Sequence, residues 1–358
     1  MRLARRRGID RNFSPMATSP RVSIFWRGLA VAFLLVGAVR AASSGPDAFV
    51  GRWALTIPGG AAGWLEVKKE NGWYDGSVLW GGGSVLPVAN VVISDGTLTV
   101  TRVRDVERKD AAGKLLRKQQ ITETLTAKIE GDTLKGLRLA PRNDGSGFDR
   151  GEWTGKRIPA LPARPNLAAV KYGAAVELLG KGGLAGWRPI EGSMPNAWSV
   201  ENGVLHNRPP AQAPGQPRQR TANLRTDREF EDFNLKLEVN VPAGSNSGVY
   251  LRGIYEIQVH DSFGKPLDSH NMGAVYSRIT PSVAAEKPAG EWQTLDITLV
   301  DRHATVVLNG KTIIDNQPLA GCTGGAMWSD QFRPGPLFLQ GDHGAVSYRS
   351  IVLRPVVK

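Results

Sequence analysis

In the run Tyr255-Glu-Ile-Gln-Val-His-Asp261, apolar and polar side chains alternate. A strand repeats every two residues, so Tyr255, Ile257 and Val259 share the core face, and Glu256, Gln258 and His260 share the other. A carboxylate and an imidazole on one strand can divide general base and acid roles. Arg and Gln side chains suit the orienting of polyol oxygens. The run just before it predicts a strand over Gly248–Arg252. A three-residue loop, Gly253 to Tyr255, then sets Arg252 across from Glu256 and Tyr250 across from Gln258, so both strands present polar sides together. A two-residue loop would pair Arg252 with Tyr255 and break that match. The bland alternative is a solvated sheet face with an Arg–Glu pair, which contributes little.

The elements that must carry this face are strands. Phe233, Leu235, Leu237, Val239 and Val241 alternate with polar residues, as in a half-buried strand. Leu295–Val300, Ala304–Leu308, Pro336–Gln340 and Val346–Arg354 read as further strands, with Asn309-Gly310 as a hairpin turn. Many antiparallel strands without helical periodicity predict a sandwich or jelly roll over residues 166–358. Three prolines between Ile158 and Pro165 make a stiff linker. Before it, residues 47–157 read as a smaller all-β barrel or sandwich. Its strands are Gly51–Ile57, Gly63–Lys69, Trp73–Trp80, Val88–Ile93, Thr97–Arg104, Lys118–Lys128 and Thr133–Leu139. Asn71-Gly72, Asp95-Gly96 and Gly131-Asp132 are turns between them, and the charged stretch Val106–Arg117 reads as a hairpin tip. The tryptophans of this segment (53, 64, 73, 80 and 153) suit either sugar stacking or core packing.

The N-terminus is of a different kind. Seven arginines precede the apolar run Gly28–Val39, and small residues follow it, which predicts a cleavable secretory signal over residues 1–42 and a periplasmic or secreted protein. Residues 1–41 hold eight Arg and one Asp, so the remaining chain has 37 basic and 32 acidic residues, +5 against +12 for the whole. The basicity belongs largely to the export segment and gives no support for nucleic-acid binding. No membrane association is expected beyond that signal. Cys322, the one cysteine, excludes an intrachain disulfide and reads as a small buried hydrophobe.

A succession of motifs then carries a resemblance. Leu178-Leu-Gly-Lys-Gly-Gly-Leu-Ala-Gly-Trp187 and Trp198-Ser-Val-Glu-Asn-Gly-Val-Leu205 come first. Phe230-Glu-Asp-Phe233, Asn246-Ser-Gly-Val-Tyr-Leu-Arg-Gly253, Tyr255-Glu-Ile-Gln-Val-His-Asp-Ser262 and Gly273-Ala-Val-Tyr276 follow, then Lys287-Pro-Ala-Gly-Glu-Trp292, Leu308-Asn-Gly310, Gly335-Pro-Leu-Phe-Leu-Gln-Gly-Asp-His-Gly344 and Tyr348-Arg-Ser-Ile351. Over residues 175–356 the chain resembles the 3-keto-glycoside lyase/3-keto-2-hydroxy-glucal hydratase family, also called 3-keto-disaccharide hydrolase. The resemblance implies a concanavalin-like jelly roll and a 3-keto glycoside as substrate.

The ketone dictates the chemistry implied. A carbonyl at C3 acidifies the hydrogen on C2, and its removal lets the enolate expel the C1 aglycone; water can then add back. The site needs a base near C2, a donor for the keto oxygen and an acid for the leaving oxygen. No Glu-x-Asp-x-x-Glu run of the lectin-fold glucanase kind is present. The expected roles are His260 or Glu256 as base with the other as acid, Arg252 on the enolate, and Gln258, Tyr250, Tyr276 and Trp292 shaping the sugar pocket. His343 is a second acid/base candidate, although Gly341 is inserted into the family's Leu-Gln-Asp-His-Gly pattern and shifts its register. His270 is expected on the rim, and His206 and His303 on the surface. A divalent metal on Glu256, His260 and His343 stays open as an alternative, with no other cofactor implied. A non-catalytic carbohydrate-binding module of the cell envelope is the competing function, since the same fold hosts lectins. A scaffold role, with the N-terminal barrel as partner surface, is a third. The aglycone, the oligomeric state and any protein partner are not legible.

Overall fold

The computed structural model describes residues 45–180, 183–211 and 219–357. The expected export signal lies outside the described residues. Among those residues, no helix is long and apolar enough to cross a membrane. Their strands form three antiparallel sheets, and the fold is all-β.

The first sheet is a nine-stranded meander. It runs from Leu86–Pro87 through Trp73–Trp80, Ala62–Glu70 and Gly51–Thr56 to Phe148–Ile158. From there it continues through Thr133–Pro141, Leu115–Glu130 and Thr97–Lys109 to Asn90–Ser94. Its ends approach each other, since a Cβ on Gly76 of Trp73–Trp80 would lie 3.5 Å from the Val91 side chain of Asn90–Ser94. The sheet therefore curls into a barrel around Trp53, Leu55, Leu65, Val78, Leu98, Leu125, Leu134 and Trp153. The hairpin tip is shorter than the charge pattern suggested: the strands extend to Lys109 and resume at Leu115. Asp110 closes the turn by accepting from the Ala112 and Lys114 N–H groups. Asn71-Gly72 and Asp95-Gly96 both have positive φ, as tight hairpin turns need.

The remainder is a jelly-roll sandwich. An eight-stranded sheet runs Trp198–Glu201, Val204–Asn207, Val346–Pro355, Phe233–Asn240, Trp292–Val300, His303–Leu308, Lys311–Pro318, with Val176–Glu177 also on Val346–Pro355. A five-stranded sheet runs Trp187–Pro189, Leu224–Phe230, Gly335–Leu339, Asn246–Leu251, Tyr255–His260. Val249, Leu251, Tyr255, Ile257, Val259, Leu337 and Leu339 of the smaller sheet pack with Phe233, Leu235, Leu295, Ile297, Val306 and Tyr348 of the larger in one core.

The same core takes in Trp64, Leu79 and Ile158 from the barrel. Trp64 Nε1 donates to Ala320 O at 3.0 Å. A Cβ on Gly321 would lie 2.2 Å from the Trp64 ring, so only glycine admits the indole there. The described residues form a single compact unit.

Candidate active site

Tyr255–His260 is the last strand of the smaller sheet, yet its outer edge is not bare. Gln258 exchanges backbone hydrogen bonds with Gly273 and Ala274, and Tyr276 N donates to Glu256 O. This irregular segment satisfies the edge and brings Tyr276 beside Glu256.

The turn into this strand corrects the expected register. It comprises Arg252, Gly253 and Ile254, closed by Ile254 N donating to Leu251 O at 3.1 Å. Leu251 therefore pairs with Tyr255, Tyr250 with Glu256 and Gly248 with Gln258. Arg252 and Gly253 both take positive φ, 56° and 68°, which places Arg252 in the turn rather than on the strand. Its buried guanidinium donates to the Gln331 and Arg333 carbonyls and lines a separate hollow with Arg302 and Phe332. Arg252 is thus not available to an enolate at Glu256.

Alternation along both strands holds. The even-numbered residues Asn246, Tyr250, Glu256 and Gln258 face away from the core and line a cavity of about 380 Å³, within the range of small-molecule sites. Tyr276, Phe338, Gln340, Asp342, His343, Asn223, Arg220, Gly324 and Gly325 complete it from the sandwich, and Gly82 and Gly83 from the barrel.

Glu256 is the buried ionisable group on its floor. Burial is the main force on its carboxyl, and the nearby Asp342 charge adds to it. The Tyr250 hydrogen bond opposes them, and the result is a carboxyl pushed up to about 8. The hydrogen bonding agrees. Tyr250 Oη lies 2.8 Å from Glu256 Oε2 and 2.6 Å from Gly324 O. The phenol has a single proton to share between Glu256 Oε2 and Gly324 O, so it compensates the Glu256 anion only in part. Burial, and then Glu256, push the Tyr250 hydroxyl well above its usual range, so it stays neutral. Phe338 stacks on Tyr250 at 4.1 Å between centroids and fixes the phenol.

Asp342 and His343 form the opposite kind of pair. Burial pushes the Asp342 carboxyl up, but the His343 hydrogen bond and the charges of His343 and Arg220 outweigh it, and the net direction is down. The ionised carboxylate only accepts, so His343 Nδ1 donates across the 2.6 Å contact, which leaves Nε2 as the ring nitrogen turned away from Asp342. His343 is 45% exposed, as a group at a cavity mouth would be. The inserted Gly341 does not remove it from the site. A Cβ there would lie 2.4 Å from Ala222 O, and the Gly341 and Asp342 N–H groups both donate to Asn223 Oδ1. This anchor turns the chain so that Asp342 and His343 reach the cavity.

Other expectations are corrected. His260 is on the right face, but at the outer end of the strand beyond the cavity, with Nδ1 on Ser245 O and Nε2 3.2 Å from Lys265 Nζ. Burial, and then Lys265, lower its basicity. Trp292 belongs to the larger sheet, under the Arg349 guanidinium at 4.1 Å. Glu256, His260 and His343 are not gathered around one point, and among the described residues no group of three His, Cys, Asp or Glu side chains could hold a metal ion. His303 is buried rather than on the surface. His270 bonds to Ser84 Oγ at 2.9 Å and meets Tyr276 edge-on. Asp342, Arg220 and the barrel glycines had not been expected in the site.

A jelly-roll sandwich whose polar cavity gathers two carboxyls and an imidazole fits a carbohydrate-active enzyme. Residues 174–354, about half of the chain, match the family model of the 3-keto-alpha-glucoside-1,2-lyase-like domain, and the chain belongs to that family. Among solved structures it is similar to a presumed glycosyl hydrolase from Parabacteroides distasonis ATCC 8503, at 23% identity over 60% of this chain and 96% of that one, with a TM-score of 0.42. A second such protein from the same organism shares 24% identity over 51% of this chain and 100% of its own, at a TM-score of 0.38. The carbohydrate-binding module CBM66 from Bacillus subtilis covers 46% of this chain and 94% of its own at 10% identity, with a TM-score of 0.27. No curated protein matches the chain.

Proposed function

We propose that this protein is an exported enzyme that cleaves 3-keto glycosides by removing the C2 proton and expelling the C1 aglycone. The observation that carries this reading is the meeting, in one cavity, of the buried Glu256 carboxyl with the His343 imidazole, whose Nδ1 is held by Asp342. His343 Nε2 takes the C2 proton, and the C2–H electron pair moves onto the C3 oxygen as an enolate. That oxygen re-forms the ketone, C1=C2 forms, and the C1–O bond breaks. The leaving oxygen receives the Glu256 proton. The products are a 3-keto-2-hydroxy-glucal and the free aglycone. Addition of water across C1=C2 would complete a net hydrolysis. Gln258 and Asn246 are placed to orient sugar hydroxyls, and Tyr276 to cover one face of the ring. Export rests on the N-terminal composition alone.

The direct test is incubation of the purified protein with p-nitrophenyl 3-keto-β- and α-glucosides. Release of p-nitrophenol together with the ultraviolet absorbance of the conjugated enone is expected with at least one of them. Binding of both without release would favour the carbohydrate-binding module instead.

The room for Glu256 is set by Gly248. A Cβ at Gly248 would lie 2.3 Å from Glu256 Oε1, so Gly248→Ala must swing the carboxyl away. A displacement of this size is expected to lower kcat about 10²-fold while the circular dichroism spectrum stays unchanged. Wild-type kcat in the alanine variant would mean that the carboxyl position does not matter to turnover.

A further inference from the structure

The barrel reaches the site through one turn. Gly82 and Gly83, just after the strand Trp73–Trp80, line the same cavity as Glu256 and Gln258. The turn is held against the sandwich by Ser84 Oγ on His270 Nε2 and by Val85 N donating to Ser277 Oγ, both at 2.9 Å. Ser277 follows Tyr276, so the turn is tied to the segment that carries a wall of the cavity. The contact is also close in the backbone, since a Cβ on Gly324 would lie 2.0 Å from Gly83 O.

The position of this turn relative to the proton donor defines its role. Glu256 touches Tyr250, Tyr250 touches Gly324 O, and Gly324 packs on Gly83. The barrel turn therefore lies on the Tyr250–Gly324 side of the proton donor. We propose that the barrel turn at Gly82 and Gly83 forms the aglycone subsite, and that it is shaped for a ring-sized leaving group such as a second hexose. This inference rests on the lyase reading above. Two glycines leave a wall of bare peptide, which provides width and offers backbone polar groups to sugar hydroxyls. The barrel is then a specificity element of the enzyme rather than an independent module.

Gly82 allows a clean test. Gly82 lines the cavity, a Cβ built there meets nothing within 4 Å and its φ lies outside the left-handed region, so Gly82→Leu adds bulk at the cavity rim without straining the fold. The experiment measures kcat/KM for methyl 3-keto-glucoside and for a 3-keto disaccharide with glucose as leaving group, with the melting temperature as a check on folding. Gly82→Leu is expected to shift the ratio of the two values against the disaccharide by about tenfold or more. Gly82→Ser, being smaller, is expected to shift it less in the same direction. Equal losses on both substrates, or no change on either, would overturn the subsite assignment and leave the lyase reading standing. An absence of wild-type turnover on both substrates would overturn the lyase reading and this inference with it.

Discussion

Glu256→Gln lowers kcat on a 3-keto glycoside by roughly 10²–10⁴-fold, the usual range for loss of a general acid, and makes the protein relatively more stable in alkali. The two effects share one cause. Glu256 is 3% exposed, and burial holds its carboxyl at about 8 against an ordinary 4.5. Between these values the folded chain binds a proton that the unfolded chain has released. The stability gained from the raised value is complete below about 4.5 and is lost as pH climbs through about 8. A difference of this size corresponds to something on the order of 4–5 kcal/mol between the two ends of the window. Glutamine has no proton to lose, and its amide N–H can still donate to Tyr250. Wild type should therefore lose stability relative to the variant between pH 5 and 9, which urea titrations at the two pH values measure. Wild-type kcat should likewise fall above about pH 8 as Glu256 ionises. A Glu256→Gln enzyme with full activity, or a stability difference that does not move with pH, would refute the protonated-acid assignment.

How much of this site the sequence discloses depends on the range of the interaction involved. The polar face of Tyr255–His260 is a local property, because alternation alone puts Glu256 and Gln258 on one side, and both do line the cavity. Its extent is not local. His260 obeys the same alternation, but the cavity ends before it, where Ser245 and Lys265 close around the ring. The register was displaced because the turn begins at Arg252, a non-glycine residue in the left-handed region, and side-chain type gives no sign of that. Asp342 carries no local signal, because its value comes from burial in the cavity and from its bond to His343, a tertiary arrangement around Asn223. The barrel glycines resemble those of any loop, and only the packing of Gly83 on Gly324 distinguishes them. The all-β character was legible for the opposite reason, since strand alternation and Asn-Gly and Asp-Gly turns are written within a few residues.

Asp342 is where the acid and base halves of the site meet, and its replacement should separate them. Its carboxylate holds the His343 ring through Nδ1 at 2.6 Å, and its charge also raises Glu256. Asp342→Asn keeps the size and removes the charge. Loss of an ionised partner that fixes the tautomer of a catalytic imidazole is expected to reduce kcat by about 10²–10⁴-fold. With the charge gone, Glu256 releases its proton more readily, so the alkaline limb of the kcat–pH profile should move below about 8. His343→Ala should cost a similar factor in kcat but leave that alkaline limb near its wild-type position, because Asp342 still faces Glu256. Added imidazole should restore part of the His343→Ala rate and none of the Asp342→Asn rate, since only the former variant lacks the ring. If the alkaline limb stayed in place in Asp342→Asn, the coupling between the two carboxyls would be absent in solution. If His343→Ala turned over at the wild-type rate, the base would have to be sought elsewhere in the cavity, with Asp342 itself as the next group able to accept a proton there.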